Sequence, residues 1–337
     1  MEKFRLPNGY EPKLSLLETE RAIECVRHKF QAALGEALNL TRVSAPMFVL
    51  QKTGLNDNLN GTEHPVSFYS EEVGDDIIEV VHSLAKWKRD ALKRYGFETK
   101  TGLYTDMNAI RKDEFLDNTH SLYVDQWDWE LLIEKEDRNL DFLKSMVTKI
   151  YEVVRNLQEE IFELYPALAQ TPLPREIYFI TSQALEDLYP TYSPEERETL
   201  LAKEKGAVCV TGIGHPLKSG QVHGHRSPDY DDWRLNADII LYHPILDEAL
   251  ELSSLGIRVD AETLRDQLQA ANATSRSTLP YHLNILEGRL PLTIGGGIGQ
   301  SRLCMFMLQK AHIGEVQASV WDEATEKACQ AHGIELL

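Results

Sequence analysis

The chain has 337 residues, of which 42% are hydrophobic, and a formal net charge of -18 at pH 7. This length and apolar content are sufficient to bury a full core, as one large domain or two smaller ones. The negative charge disfavours a protein that wraps nucleic acid or binds an anionic membrane, because both need a basic surface.

The sequence also predicts a cytoplasmic location. Neither the first five residues nor any later window is apolar enough for a signal core or a membrane span. The four cysteines are widely spaced, with no Cys-x-x-Cys pair, which is typical of reduced thiols in a core: Cys25, Cys209, Cys304 and Cys329.

The N-terminal part of the chain predicts one helix and several strands. Apolar residues recur at helical spacing over residues 15–40, which indicates an amphipathic helix. Residues 43–50 predict a strand interrupted by a proline, as is typical of an edge or interface strand. Residues 66–70 and 77–81 flank a glycine turn and predict a hairpin.

Residues 123–130 predict a strand with one polar face. A period of two sends Gln126, Asp128 and Glu130 to one face and two tryptophans to the other. Such a row of amide and carboxylate groups could hold an ammonium group, for example the α-amino group of an amino acid. The alternative is a surface strand with a solvated polar face.

Basic residues near this strand could contact anionic groups. Residues 103–111 predict the partner strand and place Arg111 at its end, where it could reach an α-phosphate or form only a surface salt bridge. Residues 82–89 predict a helix start with Ser83 and Lys88 within about one and a half turns of each other. Lys88 could bind a carboxylate or belong to a basic helix face that extends into solvent.

In the rest of the chain, short strands are dispersed among helices. Residues 131–168 predict a long helix, and strands follow at residues 177–180, 207–210 and 238–242. A helix capped at Ser193 lies between the first two of these strands. Because strand and helix do not alternate regularly, the pattern predicts an α+β fold with a mainly antiparallel sheet flanked by helices.

A glycine-rich segment near the C-terminus indicates nucleotide binding. Residues 295–302 place Arg302 in the first turn of a predicted helix, behind three consecutive glycines. Glycines let the backbone approach a ligand, and a helix start with an arginine attracts phosphate. The segment matches neither the phosphate-binding loop nor the dinucleotide fingerprint. The alternative is a glycine-rich turn before a core helix capped by Ser301.

Acidic and hydroxyl residues precede this segment. Asp238 and Glu251 form an oxygen-only pair that suits Mg²⁺ held jointly with nucleotide phosphates, although acidic surfaces are common in a chain this negative. Ser254 and Arg258 follow them. Residues 226–233 predict an ordered loop over an active site or a plain surface turn.

Together these segments resemble the class II aminoacyl-tRNA synthetases. The strand around Pro46 resembles motif one, the strand that ends at Arg111 resembles motif two, and the glycine run that ends at Arg302 resembles motif three. The segment from Glu251 to Arg258 is similar to one in the aspartyl and asparaginyl enzymes. The resemblance implies an antiparallel catalytic sheet that binds ATP and a homodimer built through motif one.

A longer resemblance is to the ammonia-dependent asparagine synthetases, the aspartate–ammonia ligases. It covers nearly the whole chain and implies a single class II synthetase-like catalytic domain, residues 1–337. Strings similar to this family's signatures occur in the family's order at residues 82–89, 123–130, 228–233 and 295–302. Residues 57–61 are similar to the family's substrate loop, with Asn60 where a serine is expected.

This resemblance implies ATP-dependent synthesis of L-asparagine from L-aspartate and ammonia through a β-aspartyl-adenylate, with release of AMP and pyrophosphate. The implied catalytic residues include Arg111 and Arg302. Asp57 and Asp231 are added as candidate proton acceptors for ammonium, a hypothesis based on their loop positions and charge. The implied substrate contacts are Ser83, Lys88, Gln126, Asp128, Ser254 and Arg258. The implied ATP contacts are Arg111, Arg226, Glu251, Gly297 and Arg302, with Mg²⁺ on Asp238 and Glu251.

The main alternative function is a class II synthetase that charges tRNA. Such an enzyme would share the ATP motifs, but no residues remain here for an anticodon-binding module, and the chain is acidic where tRNA demands a basic face. A catalytically inactive relative would have lost motif arginines or acids, which are present. We therefore expect small-molecule substrates, with no nucleic acid and no membrane as partners.

Overall fold

The computed structural model of the chain describes Pro7, residues 9–59 and residues 61–337. The predictions that concern residues 1–5 and Asn60 lie outside these described residues. The strands are β1 (Leu40–Arg42), β2 (Phe48–Leu50), β3 (Ser67–Ser70), β4 (Gly74–Val80), β5 (Gly102–Ile110), β6 (Tyr123–Leu132), β7 (Tyr178–Thr181), β8 (Ala207–Thr211), β9 (Asp231–His243), β10 (Glu248–Arg258) and β11 (Thr293–Gly299). The α-helices are α1 (Leu16–Leu38), α2 (Ala85–Tyr95), α3 (Leu140–Leu164), α4 (Ser182–Leu188), α5 (Pro194–Lys205), α6 (Ala261–Ala270), α7 (Pro280–Leu286), α8 (Gln300–Met307) and α9 (Glu323–Ala331).

Eight strands form one sheet that is mainly antiparallel, as the sequence predicts. Its order is β1-β5-β6-β11-β10-β9-β8-β7. The inner strands pair antiparallel, whereas the edge strands β1 and β7 each run parallel to their neighbour. Strands β2, β4 and β3 form a second, antiparallel sheet, which confirms the predicted hairpin of β3 and β4.

Several predicted elements differ from the observed ones. Residues 43–50 are not one strand, because β1 ends at Arg42 and β2 begins at Phe48, and Pro46 between them has no N–H for a sheet hydrogen bond. The long helix begins at Leu140, since β6 and a loop take up the residues before it. The acidic segment after the strand at residues 238–242 is itself a strand, β10. Its apolar and polar residues do not alternate strictly, so the period of two is obscured.

The sheet has a packing face and a polar face, and strand β6 contributes to both. Trp127 and Trp129 are fully buried in the main core, and the ring of Phe30 from α1 lies 4.7 Å from the ring of Trp127. The side chains of Gln126 and Asp128 lie on the opposite face. The predicted alternation along residues 123–130 is therefore confirmed.

The four cysteines are free thiols, and Cys209, Cys304 and Cys329 are buried, as predicted. None of the helices in the described part of the chain is both long enough and apolar enough to cross a membrane.

Candidate active site

Four neighbouring strands bring predicted site residues into one row across the polar face. Asp128 of β6 is paired with Gly297 of β11, Gly297 with Ser254 of β10, and Ser254 with Asp238 of β9. Residues at one level of adjacent strands are about 5 Å apart. The register of the sheet thus assembles residues that are far apart in the sequence.

A cavity of about 350 Å³ lies over this row. All the predicted site residues except Asp238 line it: Asp57, Ser83, Lys88, Arg111, Gln126, Asp128, Arg226, Asp231, Glu251, Ser254, Arg258, Gly297 and Arg302. Asp238 does not reach the cavity wall, because its carboxylate is buried in an ion pair with Arg226.

The glycine run is the strand β11, and not the turn that was the alternative prediction. A Cβ at Gly297 would lie 2.7 Å from Asp128 Oδ1, and one at Gly295 would lie 2.6 Å from Arg258 Nη2. Glycine is needed here because functional side chains of the neighbouring strands cross over the backbone. The prediction that Ser301 caps helix α8 is wrong, since the cap residue is Gly299.

Ser301 instead belongs to a buried polar group beside the cavity. Its backbone N–H donates to Asp125 Oδ1 at 3.0 Å and its Oγ donates to Asp125 Oδ2 at 2.8 Å. Arg27 Nη2 lies 2.7 Å from the same carboxylate. Asp125 was not predicted as a site residue, because it lies on the tryptophan side of the strand's period of two.

Arg302 is held by uncharged partners. Its Nη1 donates to the carbonyl of Glu251 at 3.0 Å, and its Nη2 donates to His120 Nε2 at 2.9 Å. Because a guanidinium cannot accept, His120 accepts at Nε2 and donates from Nδ1 to Asp117 at 2.9 Å. Burial would raise the pKa of Asp117, but the contact with His120 lowers it to about 2. No carboxylate in the described residues neutralises Arg302 at hydrogen-bond distance.

Arg111 directly follows β5 and lines the same cavity. Its contacts are long, with Nη2 3.4 Å from the carbonyl of His82 and Nη1 3.8 Å from Glu114 Oε2. Its buried Nε has no hydrogen-bond partner among the described residues. The predicted salt bridge is thus present in a loose form, and the guanidinium still faces the cavity.

Lys88 is buried below the cavity, so the prediction of a solvent-exposed basic helix face is wrong. Its Nζ donates to the carbonyl of Gly296 at 2.9 Å and lies 3.5 Å from Asp128 Oδ2. Burial lowers the pKa of Lys88, and the charge of Asp128 opposes that shift. Ser83 precedes α2, whose cap residue is Leu84.

Arg258 is the centre of a buried ion-pair network. Its Nε and Nη2 donate to the two oxygens of Glu130 at 3.0 and 2.7 Å, and its Nη1 contacts Asp231. Burial would raise the pKa of Glu130, but Arg258 lowers it. Burial raises the pKa of Asp231 in spite of Arg258. Glu130 was predicted only as one of the row of polar residues on β6 that could hold an ammonium group, and its ion pair with Arg258 was not predicted.

Asp57 is a buried loop residue that lines the cavity. Its Oδ2 accepts from Ser83 Oγ at 2.7 Å and its Oδ1 accepts from the N–H of Leu59 at 2.9 Å. Tyr230, which was not predicted as a site residue, lines the cavity and its ring lies 5.7 Å from the guanidinium carbon of Arg258. Both loops therefore contribute to the part of the cavity that contains Arg258.

The acid pair proposed for Mg²⁺ consists of one buried and one cavity-lining carboxylate. No group of three or more His, Cys, Asp or Glu residues clusters as a metal site in the part of the chain that the structure describes. Asp238 Oδ1 is buried and accepts no hydrogen bond from the described residues, while Oδ2 contacts Arg226. Burial raises the pKa of Asp238 to about 7, with a contribution from Glu251. A divalent cation would satisfy the orphaned oxygen, so these residues fit Mg²⁺ whose other ligands come from a nucleotide.

The fold and the site define the class of protein. The chain has the fold of the class II aminoacyl-tRNA synthetases. It aligns with the crystal structure of Pyrococcus horikoshii asparaginyl-tRNA synthetase complexed with asparaginyl-adenylate at a TM-score of 0.66 and 16% identity, covering 96% of this chain and 77% of that one. For the Entamoeba histolytica asparaginyl-tRNA synthetase in complex with asparaginyl-adenylate, the TM-score is 0.63 at 12% identity, covering 90% and 66%.

Sequence comparison specifies the family within this class. The family model described as aspartate-ammonia ligase matches residues 17–333. The aspartate–ammonia ligase of Clostridium perfringens is 58% identical over 337 residues, which is 100% of both chains. That of Levilactobacillus brevis is 56% identical over 332 residues, which is 98% of this chain and 99% of its own. The chain therefore belongs to the aspartate–ammonia ligase family, the ligases that make asparagine from aspartate and ammonia.

Proposed function

We propose that the reaction proceeds through a β-aspartyl-adenylate and releases AMP and pyrophosphate from ATP. A carboxylate cannot be amidated directly, because its oxide is a poor leaving group. The β-carboxylate of aspartate therefore attacks the α-phosphorus, and pyrophosphate leaves. Ammonia then attacks the β-carbonyl carbon, AMP leaves with the electron pair of the C–O bond, and the nitrogen loses a proton. One observation carries the proposal: a single cavity joins two weakly neutralised arginines to a row of acids and an amide.

ATP is assigned to the part of the cavity near Arg111 and Arg302. Arg111 neutralises charge that develops on the α-phosphate, and Arg302 binds the departing side of the nucleotide together with Arg226. The backbone at Gly297 and the carboxylate of Glu251 complete the ATP contacts. Mg²⁺, when bound, neutralises phosphate charge, and Asp238 and Glu251 would hold it.

Aspartate is assigned to the part of the cavity that contains Lys88 and Arg258. These two cations are the proposed carboxylate contacts, and Lys88 has one proton directed at neither Gly296 nor Asp128. The proposed α-amino contacts are Ser83, Gln126 and Asp128, with Ser254 beside them. These acceptors have the polarity that an ammonium group requires.

Asp57 and Asp231 are the proposed proton acceptors for ammonium. Ammonia is mostly protonated at neutral pH, so the site must bind the cation and remove a proton before attack. Both carboxylates line the cavity, and burial raises the pKa of Asp231, which favours proton uptake. For Asp57→Asn we expect adenylate formation to persist while the ammonium requirement increases. Unchanged dependence on ammonium in this variant would remove the role from Asp57.

The test of the whole proposal is product release by the purified protein. With ATP, Mg²⁺ and aspartate, we expect AMP and pyrophosphate to accumulate together with asparagine only when ammonium is present. Single-turnover quenching without ammonium should trap an aspartate–AMP species. Formation of ADP and phosphate instead would contradict the adenylate route.

Charging of tRNA is the second candidate, since the fold is that of tRNA synthetases. The net charge of -18 argues against a tRNA surface. We propose instead a cytoplasmic homodimer of single catalytic domains that binds small molecules, with neither nucleic acid nor membrane as a partner. The same assay with added tRNA distinguishes the two functions, because only a synthetase would form an aspartyl ester on the tRNA.

A further inference from the structure

A second buried cluster lies beside the cavity, and of its residues Ser227 lines the cavity wall. Its centre is Asp229, which is fully buried. Asp229 Oδ2 lies 2.9 Å from Lys86 Nζ, 2.9 Å from His282 Nε2 and 3.2 Å from Arg276 Nη1, and Oδ1 accepts from Ser227 Oγ at 2.7 Å. The function assigned above uses none of these residues, and their common carboxylate holds four partners from three separate segments.

The charges in this cluster favour a stable buried ion pair. Burial would raise the pKa of Asp229, but Lys86 and His282 hold it well below its usual range, so the carboxylate is ionised. Burial lowers the pKa of His282, which keeps that ring neutral near pH 7. Lys86 is as fully buried as Asp229, so neither charge can exchange its partner for water without a large desolvation change.

Lys86 makes a further contact that connects two loops. Its Nζ lies 3.2 Å from Asn58 Oδ1. Asn58 directly follows Asp57, and Asp229 is two residues before Asp231. One buried ammonium group thus bridges the two loops that carry the proposed proton acceptors for ammonium.

We propose that Lys86 is a positioning residue that sets the separation of Asp57 and Asp231 and, through it, the affinity of the enzyme for ammonium. This inference rests on the role proposed above for those two aspartates. Lys86 does not contact substrate, because it is fully buried and does not line the cavity. Arg111 and Arg302 are held by other partners, so ATP binding does not depend on the bridge.

The main test is Lys86→Met, which keeps the volume of the side chain and removes its charge. Asp229 retains Arg276 and His282 as partners, so the carboxylate is not left unpaired. Misplacement of a reacting group by about 1 Å can cost about 10²-fold. We expect the KM for ammonium to increase by at least about tenfold, while aspartate-dependent ATP–pyrophosphate exchange changes by less than about threefold.

Two further variants keep the test decisive if Lys86→Met folds poorly. Asn58→Ala cuts the bridge at its exposed end and cannot disturb the core, and we expect the same selective loss at a smaller magnitude. Lys86→Arg retains the charge with a different reach, and it should restore part of the ammonium affinity that methionine loses. The matched control is Arg197→Met, which removes a buried cation paired with Glu186 at 3.5 Å, away from the cavity.

The outcomes separate positioning from general stability. A rise in the KM for ammonium in Lys86→Met and Asn58→Ala, with partial rescue by Lys86→Arg and none of it in Arg197→Met, supports the inference. Equal losses of exchange and ammonium affinity that match those of Arg197→Met would overturn it. An unchanged KM for ammonium in both Lys86→Met and Asn58→Ala would also overturn it. Absence of exchange in the wild-type protein would instead contradict the adenylate route.

Discussion

The two halves of the cavity differ in how strongly their cationic side chains are paired with carboxylates. In the half proposed for the nucleotide, Arg302 contacts carbonyl groups and a histidine, and Arg111 has only long contacts. In the half proposed for aspartate, Arg258 is paired with two buried carboxylates and Lys88 lies against Asp128. Arg111 and Arg302 are therefore available to an anionic ligand. Lys88 and Arg258 also belong to the frame of the site, by which we mean the buried ion pairs that hold its carboxylates in place.

This difference limits the role predicted for Arg258. A carboxylate of aspartate that binds Arg258 must share it with Glu130 and Asp231, which already take three of its hydrogen bonds. The proposed contact between Arg258 and a carboxylate of aspartate therefore depends on the remaining N–H groups of Arg258. By contrast, Arg302 can accept phosphate without giving up an ion pair.

The largest effect is expected for stability when the frame loses its cation. Arg258→Met removes the cation that Glu130 and Asp231 contact directly in the core, so we expect the free energy of unfolding to fall by about 3–5 kcal/mol. Urea denaturation followed by circular dichroism measures this change. The control is Lys203→Met, which breaks an exposed pair with Asp247 and should cost less than about 1 kcal/mol. Equal losses in both variants would show that Arg258 is not part of the frame.

The nucleotide half predicts the reverse combination, a large loss of activity with little loss of stability. Arg302→Met should reduce the rate of ATP–pyrophosphate exchange by about 10²–10³-fold, because a preorganised charge on the phosphates is lost. The free energy of unfolding should change by only about 1 kcal/mol, since water in the cavity can replace the lost donors. Arg302→Lys tests the planar fork and should recover only part of the rate. A destabilisation as large as that of Arg258→Met would remove the contrast between the two halves.

The packing behind the nucleotide half adds a pH-dependent test. His243 at the end of β9 is buried, its ring lies 6.2 Å from that of Phe306 in α8, and burial lowers its pKa to about 4. The unfolded chain binds a proton near the ordinary pKa of about 6.5, so stability is fully present above that pH and falls as the pH decreases towards about 4. The expected loss is about 3 kcal/mol over that interval.

Denaturation series at several pH values should therefore show a smaller acid-side loss for His243→Gln than for the wild-type protein. His332→Gln is the matched control, because His332 is exposed near the C-terminus and has no such packing. Parallel pH profiles for His243→Gln and the wild-type protein would contradict the assignment.

Sequence patterns predicted which residues belong to the site, but not which charged side chains those residues contact. The period of two along residues 123–130 correctly placed Asp128 on the polar face of the sheet, which lines the cavity, because strand geometry alone determines that alternation. The seating of Arg258 between two carboxylates depends on the register of β10 against β9 and on side chains from β6, which no local pattern encodes.

Lys86 shows the same limit. It stands in the string of residues 82–89 that carried the family resemblance, yet nothing in that string indicates a buried partner. The partner, Asp229, is distant in the sequence and reaches Lys86 only when the loop after Arg226 packs against α2. Asp238 was predicted to face the ligand, and it is buried because Arg226 covers one of its oxygens.

The smallest expected effect is on the Mg²⁺ dependence of ATP–pyrophosphate exchange, and it concerns Glu251 and Asp238. Asp238 forms a buried ion pair with Arg226, and it is also the proposed partner of Glu251 in cation binding. Burial raises the pKa of Asp238 to about 7, and the negative charge of Glu251 adds to that shift. Because the ionised form binds the cation, Mg²⁺-dependent exchange should increase as the pH rises through about 7. Glu251→Gln removes one ligand and the like charge, so about tenfold more Mg²⁺ should be needed well above that pH, a difference of about 1.4 kcal/mol.

The same substitution should shift the pH dependence in the opposite sense to the loss of affinity. Without the charge of Glu251, the pKa of Asp238 falls, so the midpoint of the Mg²⁺ dependence moves to lower pH in Glu251→Gln. Mg²⁺ titrations of ATP–pyrophosphate exchange on both sides of the midpoint separate the two effects. Glu248→Gln, on the same strand but outside the cavity, should change neither. An unshifted midpoint would mean that Asp238 stays committed to Arg226 and that the cation is held without it, so that Asp238 would belong to the frame alone.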